Sequence, residues 1–189
     1  MGMPVIGLTG RVGVGKSWVL AQWVSQVDIW QVELDLVGHE VLRMEAVIQK
    51  IGQRFGDGVL DKDGQVDRKR LGGIVFQDEG ARNDLNRIVH PLIRQTVTQM
   101  LAGERTRAGV IVGAVIHEID LAQYCDQMVV VDASDEDIER YAPQRAHIRH
   151  AQASRDWYLG QADHRIVNGF DGTVQERVRT LGAVLFKGQ

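Results

Sequence analysis

The 189-residue chain has one cysteine, three prolines and only 6% aromatic side chains. A lone Cys125 excludes an internal disulfide framework and any metal site built from several thiolates. Neither sign of charge is in excess: 22 Lys and Arg face 25 Asp and Glu, for a net charge of −3. That balance leaves no overall basic field for gripping nucleic acid and no acidic solvating tail, so a nucleic-acid partner is not expected. Long apolar runs are missing too. The longest, residues 110–116, is far too short to cross a bilayer. The apolar start stops at Gly10 and runs into a glycine-rich turn, unlike a secretory leader. Gly2 follows the first Met, but Ile6 stands where a myristoylation signal wants Ser or Thr. What is present is 44% apolar residues, enough to exclude disorder and to build the core of one ordinary domain. A soluble, cytoplasmic globular protein without a membrane partner is the expectation.

Residues 4–9 (PVIGLT) form a short apolar run ended by glycine, which predicts a buried strand. Apolar residues at helical spacing follow over 17–27, and 29–34 predicts a second strand. Residues 36–55 are helical in period, 56–64 (GDGVLDKDG) are a turn-rich break, and 68–76 and 81–101 predict helices. Within the last of these, His90-Pro91 should kink the helix or begin a new one, because proline has no amide hydrogen. Residues 110–116 and 128–132 are continuous Val/Ile-rich runs, as expected of strands covered on both faces. Helices are expected over 135–140, 147–159 and 173–186, with a last short strand at 166–167. Strands alternating with helices, without hairpin signals, predict an α/β fold: a doubly wound parallel sheet. The helical stretch from 36 to 100 reads as an inserted subdomain of one domain spanning 1–189.

Gly10, Arg11, Val12, Gly13, Val14, Gly15, Lys16 and Ser17 fit G-x-x-x-x-G-K-[ST], with a strand before and a helix after. Glycines let the backbone curl so that successive amides point at one phosphate, and the helix N-terminus adds positive charge. Lys16 can reach the β- and γ-phosphates, and the Ser17 hydroxyl can ligate Mg²⁺. The dinucleotide pattern G-x-G-x-x-G fails because Trp18 occupies the third glycine's place. The pattern therefore predicts a nucleoside triphosphate site of the P-loop type. Trp18 is bulky; it is expected to pack into the core beside the loop while its amide still serves a phosphate.

Ligands gather where parallel strands end, so carboxylates at those ends are candidates for the remaining chemistry. Glu33 and Asp35 follow the second strand, where a carboxylate can accept the proton of an attacking hydroxyl; Asp35 can also cap the next helix. His117-Glu118 follows the run 110–116, and Glu118 can meet a substrate amine or hydroxyl or sit as a surface carboxylate. Residues 140–155 carry Arg140, Arg145, Arg149 and Arg155 with His147 and His150 and no acid. Arg145 and Arg149, four apart, share a face of one helix. Such a basic run predicts a lid (about 140–156) whose guanidiniums neutralise the transferring phosphoryl group, with Arg140 taken for that role; the competing reading is a solvated face paired with the acids of 135–139.

Taken together, IGLTGRVGVGKS, VELDLVGHEVL, RFGDGVLDKDGQVDRKRLGGIVF, LNRIVHPLIR, VIHE before CDQMVVVDAS, Gln152 and ADHRIVNG resemble the dephospho-CoA kinase family, over nearly the whole chain. DRKRLGGIVF followed by LNRIVHPLIR is much more specific than the phosphate loop alone. The resemblance implies a P-loop core with a helical acceptor-side part and a short lid, ATP and Mg²⁺ as cofactors, and dephospho-CoA as the small-molecule substrate phosphorylated at its ribose 3′-hydroxyl. It implies Asp35 as the catalytic carboxylate, Gly13 to Trp18 as the ATP loop and Asn168 near the adenine side. Glu33, His39, His90 and Glu118 become candidate substrate contacts, with packing equally open for His90.

Several positions depart from that pattern. Glu33 replaces the first Asp of a D-x-D, His39 stands where Arg is expected, Trp18 replaces a Thr-like residue, and Ala114 stands for proline. The stretch between Arg140 and Gln152 is shorter than the usual lid. A histidine for an arginine makes a fixed cation pH-dependent. A nucleotide-binding module with weakened catalysis, and a kinase for another nucleoside or nucleotide, are the alternatives these departures leave open. Nothing in the sequence fixes an oligomeric state.

Overall fold

The computed structural model describes residues 3–103 and 106–187, the side chains of Ala146 and His147 excepted. Expectations about Gly2 and the His147 side chain lie outside the described residues. In chain order the elements are β1 (Val5–Thr9), α1 (Lys16–Val24), β2 (Trp30–Glu33), α2 (Leu34–Val41), α3 (Glu45–Phe55), α4 (Arg68–Val75), α5 (Glu79–Gly103), β3 (Gly109–Val112), β4 (Gln127–Asp132), α6 (Asp135–Tyr141), α7 (Ala146–Arg149), α8 (Arg155–Leu159), β5 (His164–Val167) and α9 (Val174–Leu185). Short 3-10 turns stand at Asp57–Val59, Ala122–Tyr124 and Pro143–Arg145.

The chain divides into two compact units. The first takes residues 1–33 and 100–189, and the second takes 34–99. In the first, five strands form one sheet in the order β2-β3-β1-β4-β5, every pair parallel. Residues of both parities are buried in β1, β3 and β4, so both faces of the sheet are covered, as a doubly wound α/β fold requires. Ile6, Leu8, Val110, Val112, Val129 and Val131 belong to one apolar cluster with Val19, Leu20 and Trp23 of α1 and Val178 and Leu185 of α9. Trp23 anchors this layer. Its Nε1 donates to the Val178 carbonyl at 2.9 Å, its ring meets Phe186 edge-on at 5.6 Å, and a Cβ on Gly182 would lie 2.7 Å from it. Only glycine lets α9 come that close.

In the second unit, α2 to α5 bury Val37, Val41, Val47, Ile51, Leu71, Val75, Val89, Ile93 and Val97. The Asp67 side chain caps α4 by accepting from the amides of Lys69 and Arg70.

Four expectations about elements are corrected. Residues 36–55 are two helices, with Met44 extended between them. Val41 and Val47, both buried, are six residues apart, which is not a whole number of 3.6-residue turns, so a single helix would turn one of them outward. The helix around His90-Pro91 does not restart: α5 runs through Pro91, losing one backbone bond while Val89, Ile93 and Val97 keep their buried face. β3 stops at Val112, and the apolar run continues as turns in which Ile116, Ile119 and Leu121 are buried. The run signalled burial, not strand length. Residues 147–159 are not one helix, because Ser154 caps a new one by accepting from the Trp157 amide at 3.1 Å.

Candidate active site

The turn between β1 and α1 is built by three glycines with φ of 138°, 88° and 97° at Gly10, Gly13 and Gly15. A Cβ at Gly10 would lie 2.2 Å from the Val131 carbonyl oxygen, and one at Gly15 would lie 2.5 Å from the Asn168 amide nitrogen. Both conformation and space therefore demand glycine here. Lys16 lies back across the loop, its Nζ donating to the carbonyls of Gly10 (2.8 Å) and Arg11 (3.0 Å). Its ammonium is thereby held at the loop that would cradle phosphate.

The loop is braced from behind. Asn168, 4% exposed, donates from Nδ2 to the Val14 carbonyl at 2.9 Å and accepts from the Phe170 amide at Oδ1. Gln152 Oε1 accepts from the Val12 amide at 2.8 Å. Arg11 is buried and donates to Asp135 Oδ1 (2.5 Å) and to the Ala133 carbonyl. The hydrogen bond from Arg11 holds the Asp135 carboxyl below its ordinary value, against the opposing effect of burial. Ser17 is exposed, and its hydroxyl makes no hydrogen bond with any described residue. Trp18 corrects an expectation: it is 38% exposed rather than packed in the core, and its amide is already engaged with the Gly15 carbonyl.

Beside the loop, Asp132 at the end of β4 is 3% exposed and takes two arginines. Arg155 grips it from Nε (2.8 Å) and an Nη (2.7 Å), and Arg165 also donates to its Oδ2. Burial pushes this carboxyl up, but the two arginines outweigh burial and hold it below the usual carboxylate value. In the arginine-rich segment, Arg145 and Arg149 fall in different elements, contrary to the shared face expected. Arg149 pairs with Glu139 at 3.0 Å, the acid-paired arrangement. Arg140 is exposed, with its guanidinium 5.4 Å from the Tyr141 ring centroid, and Tyr141 stacks on Phe170 at 4.7 Å.

Of the other singled-out residues, Glu33 ends β2, half-buried. Asp35 lies inside the first turn of α2, which begins at Leu34, so it is not the helix cap; it is exposed and without a hydrogen bond to any described residue. His39 stands one turn further along α2, and His90 is half-buried in α5. Burial lowers the pKa of His90. His117 and Glu118 lie in the turns beyond β3 rather than at its end, Glu118 exposed. The His117 ring meets Trp157 edge-on at 5.6 Å, and burial lowers its pKa. The loop, Arg11, Asn168 and Gln152 are thus joined in the first unit, while Asp35, His39 and His90 belong to the second. Sequence reasoning missed Asp132 and Arg165. The available signal was a carboxylate closing a buried Val-rich strand, the same placement that drew attention to Glu33.

Among the described residues no group of three or more His, Cys, Asp or Glu side chains could hold a metal, and no helix is long and apolar enough to cross a membrane. Burial pushes the Cys125 thiol up to about 12, which leaves it protonated and unreactive at neutral pH.

A protein-family model described as dephospho-CoA kinase matches residues 4–170. The chain belongs to the dephospho-CoA kinase family. A Bacillus cereus dephospho-CoA kinase is 33% identical over 193 residues, covering 96% of this chain and 95% of that protein. Among solved structures, a Thermus thermophilus protein superposes with a TM-score of 0.78 at 23% identity over 100% of both chains. A dephospho-CoA kinase from Campylobacter jejuni does so at 0.62 and 20% identity, over 98% of this chain and 99% of that one. These two share the fold. The dephospho-CoA kinase match spans everything from β1 through the Asn168 brace.

Proposed function

We propose that Lys16, Ser17, Asp35 and Arg140 are the machinery with which this chain moves the γ-phosphoryl group of ATP to the 3′-hydroxyl of dephospho-CoA, giving ADP and CoA. The activity is that of the family, an ATP-dependent phosphotransferase. The observation that carries the site assignment is the pre-formed glycine loop with Lys16 lying across it. The acceptor oxygen bonds to the γ-phosphorus, the bond from that phosphorus to the β,γ-bridging oxygen breaks, and the hydroxyl proton goes to Asp35. Such transfer needs positioning and charge neutralisation more than covalent help from the protein. Loop amides between Gly13 and Ser17 and the Lys16 ammonium hold the phosphates, Arg140 meets charge on the transferring group, and Asn168 keeps the loop in shape. Glu33, His39, His90 and Glu118 serve the acceptor.

The exposed, uncommitted Ser17 hydroxyl and the lack of a carboxylate or histidine cage among the described residues fit Mg²⁺ carried in with the nucleotide's phosphates rather than a resident metal. Bound there, Mg²⁺ would neutralise phosphate charge. Of the acceptor contacts, His39 and His90 belong to the helical part, about 36–100, and the arginine-rich lid spans about 140–156.

Asp35→Asn tests the assignment. Turnover should fall by a factor on the order of 10²–10³ with ATP affinity unchanged. Loss of ATP binding, with turnover per bound ATP preserved, would remove Asp35 from the role of base.

A further inference from the structure

The phosphate loop carries a second cation besides Lys16, and its partners lie outside the loop. Arg11 is 7% exposed, and its guanidinium spans the start of α6. One Nη donates to Asp135 Oδ1 at 2.5 Å and the other to the Ala133 carbonyl at 3.0 Å. A buried guanidinium needs such partners, because leaving it alone in the protein interior is strongly destabilising. The main chain of the same residue bonds to the loop's lysine, since the Arg11 carbonyl accepts from Lys16 Nζ. Arg11 therefore joins Lys16 to the helix that opens the arginine-rich segment.

That helix is only seven residues long, so its direction depends on what holds it. Its inner face rests on the loop: a Cβ on Gly13 would lie 2.9 Å from the Ile138 side chain and 3.2 Å from that of Ala142. Arg11 fixes the N-terminal end of the same contact. From the other side, Arg149 of α7 donates to the Asp135 carbonyl at 3.5 Å and to Glu139 at 3.0 Å, which ties α7 to α6 across one helical turn. Arg140 stands in the last turn of α6, five residues beyond Asp135 and about 7.5 Å along the axis. A small tilt at the Arg11–Asp135 pair is thus carried to Arg140.

We infer that Arg11 is a positioning residue, which through Asp135 holds α6 at the angle that presents Arg140 to the transferring phosphoryl group; this rests on the reading of Arg140 as the arginine that meets charge there. The role differs from that of a phosphate ligand. An arginine that gripped ATP in ground state and transition state alike would set its affinity, whereas one that aims another arginine alters the rate of transfer. The two-pronged bond also asks for a guanidinium. An ammonium is a point charge without the planar fork that meets the Ala133 carbonyl and the Asp135 carboxylate together.

Turnover of ATP and dephospho-CoA, beside calorimetric titration of ATP with Mg²⁺, tests this on Arg11→Gln, Arg11→Lys, Asp135→Ala, Arg140→Gln and the double variant Arg11→Gln/Arg140→Gln. Arg11→Gln keeps the main-chain carbonyl that Lys16 uses, so kcat should fall about tenfold while ATP affinity stays within about twofold. Arg11→Lys should recover part of the loss. Asp135→Ala changes a side chain that is 69% exposed, leaves the core untouched, and should lower kcat in the same way even if Arg11→Gln does not fold. The double variant should be no slower than Arg140→Gln, because the two residues act through one contact. With Arg140→Gln slow, a kcat within about twofold of wild type in Asp135→Ala and in folded Arg11→Gln would overturn the inference alone. Weakened ATP binding with kcat preserved in Arg11→Gln would make Arg11 a phosphate ligand and overturn it too. Losses that multiply in the double variant would cut the link to Arg140. Wild-type turnover by Arg140→Gln would overturn the reading of Arg140, and the inference with it.

Discussion

The phosphate loop and a cleft of about 520 Å³ in the helical unit, lined by Leu36, His39 and Arg43 of α2 and the residues after it and by Val66 and Arg68 at the entry to α4, are finished to different degrees. In the loop, Lys16, Arg11, Asn168 and the Val12 amide all have partners within the protein, and the glycines hold positive φ values that residues with side chains rarely adopt. In the cleft, Leu36 of α2 is exposed, and among the described residues neither Arg68 of α4 nor Asp35, one residue before Leu36, has an ion-pair partner. Phosphates bound at the loop, as proposed, would meet a surface already organised for them, which spares the cost of ordering it on binding. The cleft keeps Arg68 without a carboxylate partner among the described residues. One is braced by the protein's own groups; the other is left open.

The contrast can be broken most severely at Asp132, which organises the ground beside the loop. Asp132→Asn should cost about 2 kcal/mol of folding stability in denaturant titration. That is less than a fully buried pair would cost, because Arg155 and Arg165 are about 40% exposed and keep water as an alternative partner. The wild-type carboxyl is held below its unfolded value, so its contribution is complete above the ordinary carboxylate pKa and is lost as pH falls from there through the lower folded value. The variant should lack that acid-side loss. A smaller effect sharpens the comparison. Asn168→Ala removes the brace from the Val14 carbonyl and the Phe170 amide, and should cost about 1 kcal/mol while raising KM for ATP and sparing KM for dephospho-CoA. Equal shifts in both KM values would show that the two sides are not separately built.

What the sequence could and could not disclose follows from the range of the interactions. The strands were legible because a parallel sheet covered on both faces needs Val/Ile-rich runs, and the glycine loop because its chemistry is confined to eight consecutive residues. Element ends were less so. Residues 110–116 read as a strand since burial and extension give the same apolar run, and the break at Met44 carries no proline to announce it. The Trp18 exposure and the bonds joining Val12 to Gln152 and Asp132 to Arg165 depend on residues brought together from 33 to 140 positions apart. No local pattern encodes such meetings. Asp35 could be singled out from its place after a strand, but that its carboxylate stands inside the helix turn, unpaired among the described residues, needed the fold.

The most direct measurement is mass-spectrometric detection of CoA from ATP, Mg²⁺ and dephospho-CoA, with wild type beside Lys16→Ala. The account predicts conversion by wild type and a fall on the order of 10²–10³ or more in the variant, whose loop would lack the ammonium now bonded to Gly10 and Arg11. Folded wild-type protein that binds ATP and forms no CoA, or conversion that Lys16→Ala leaves intact, would contradict it.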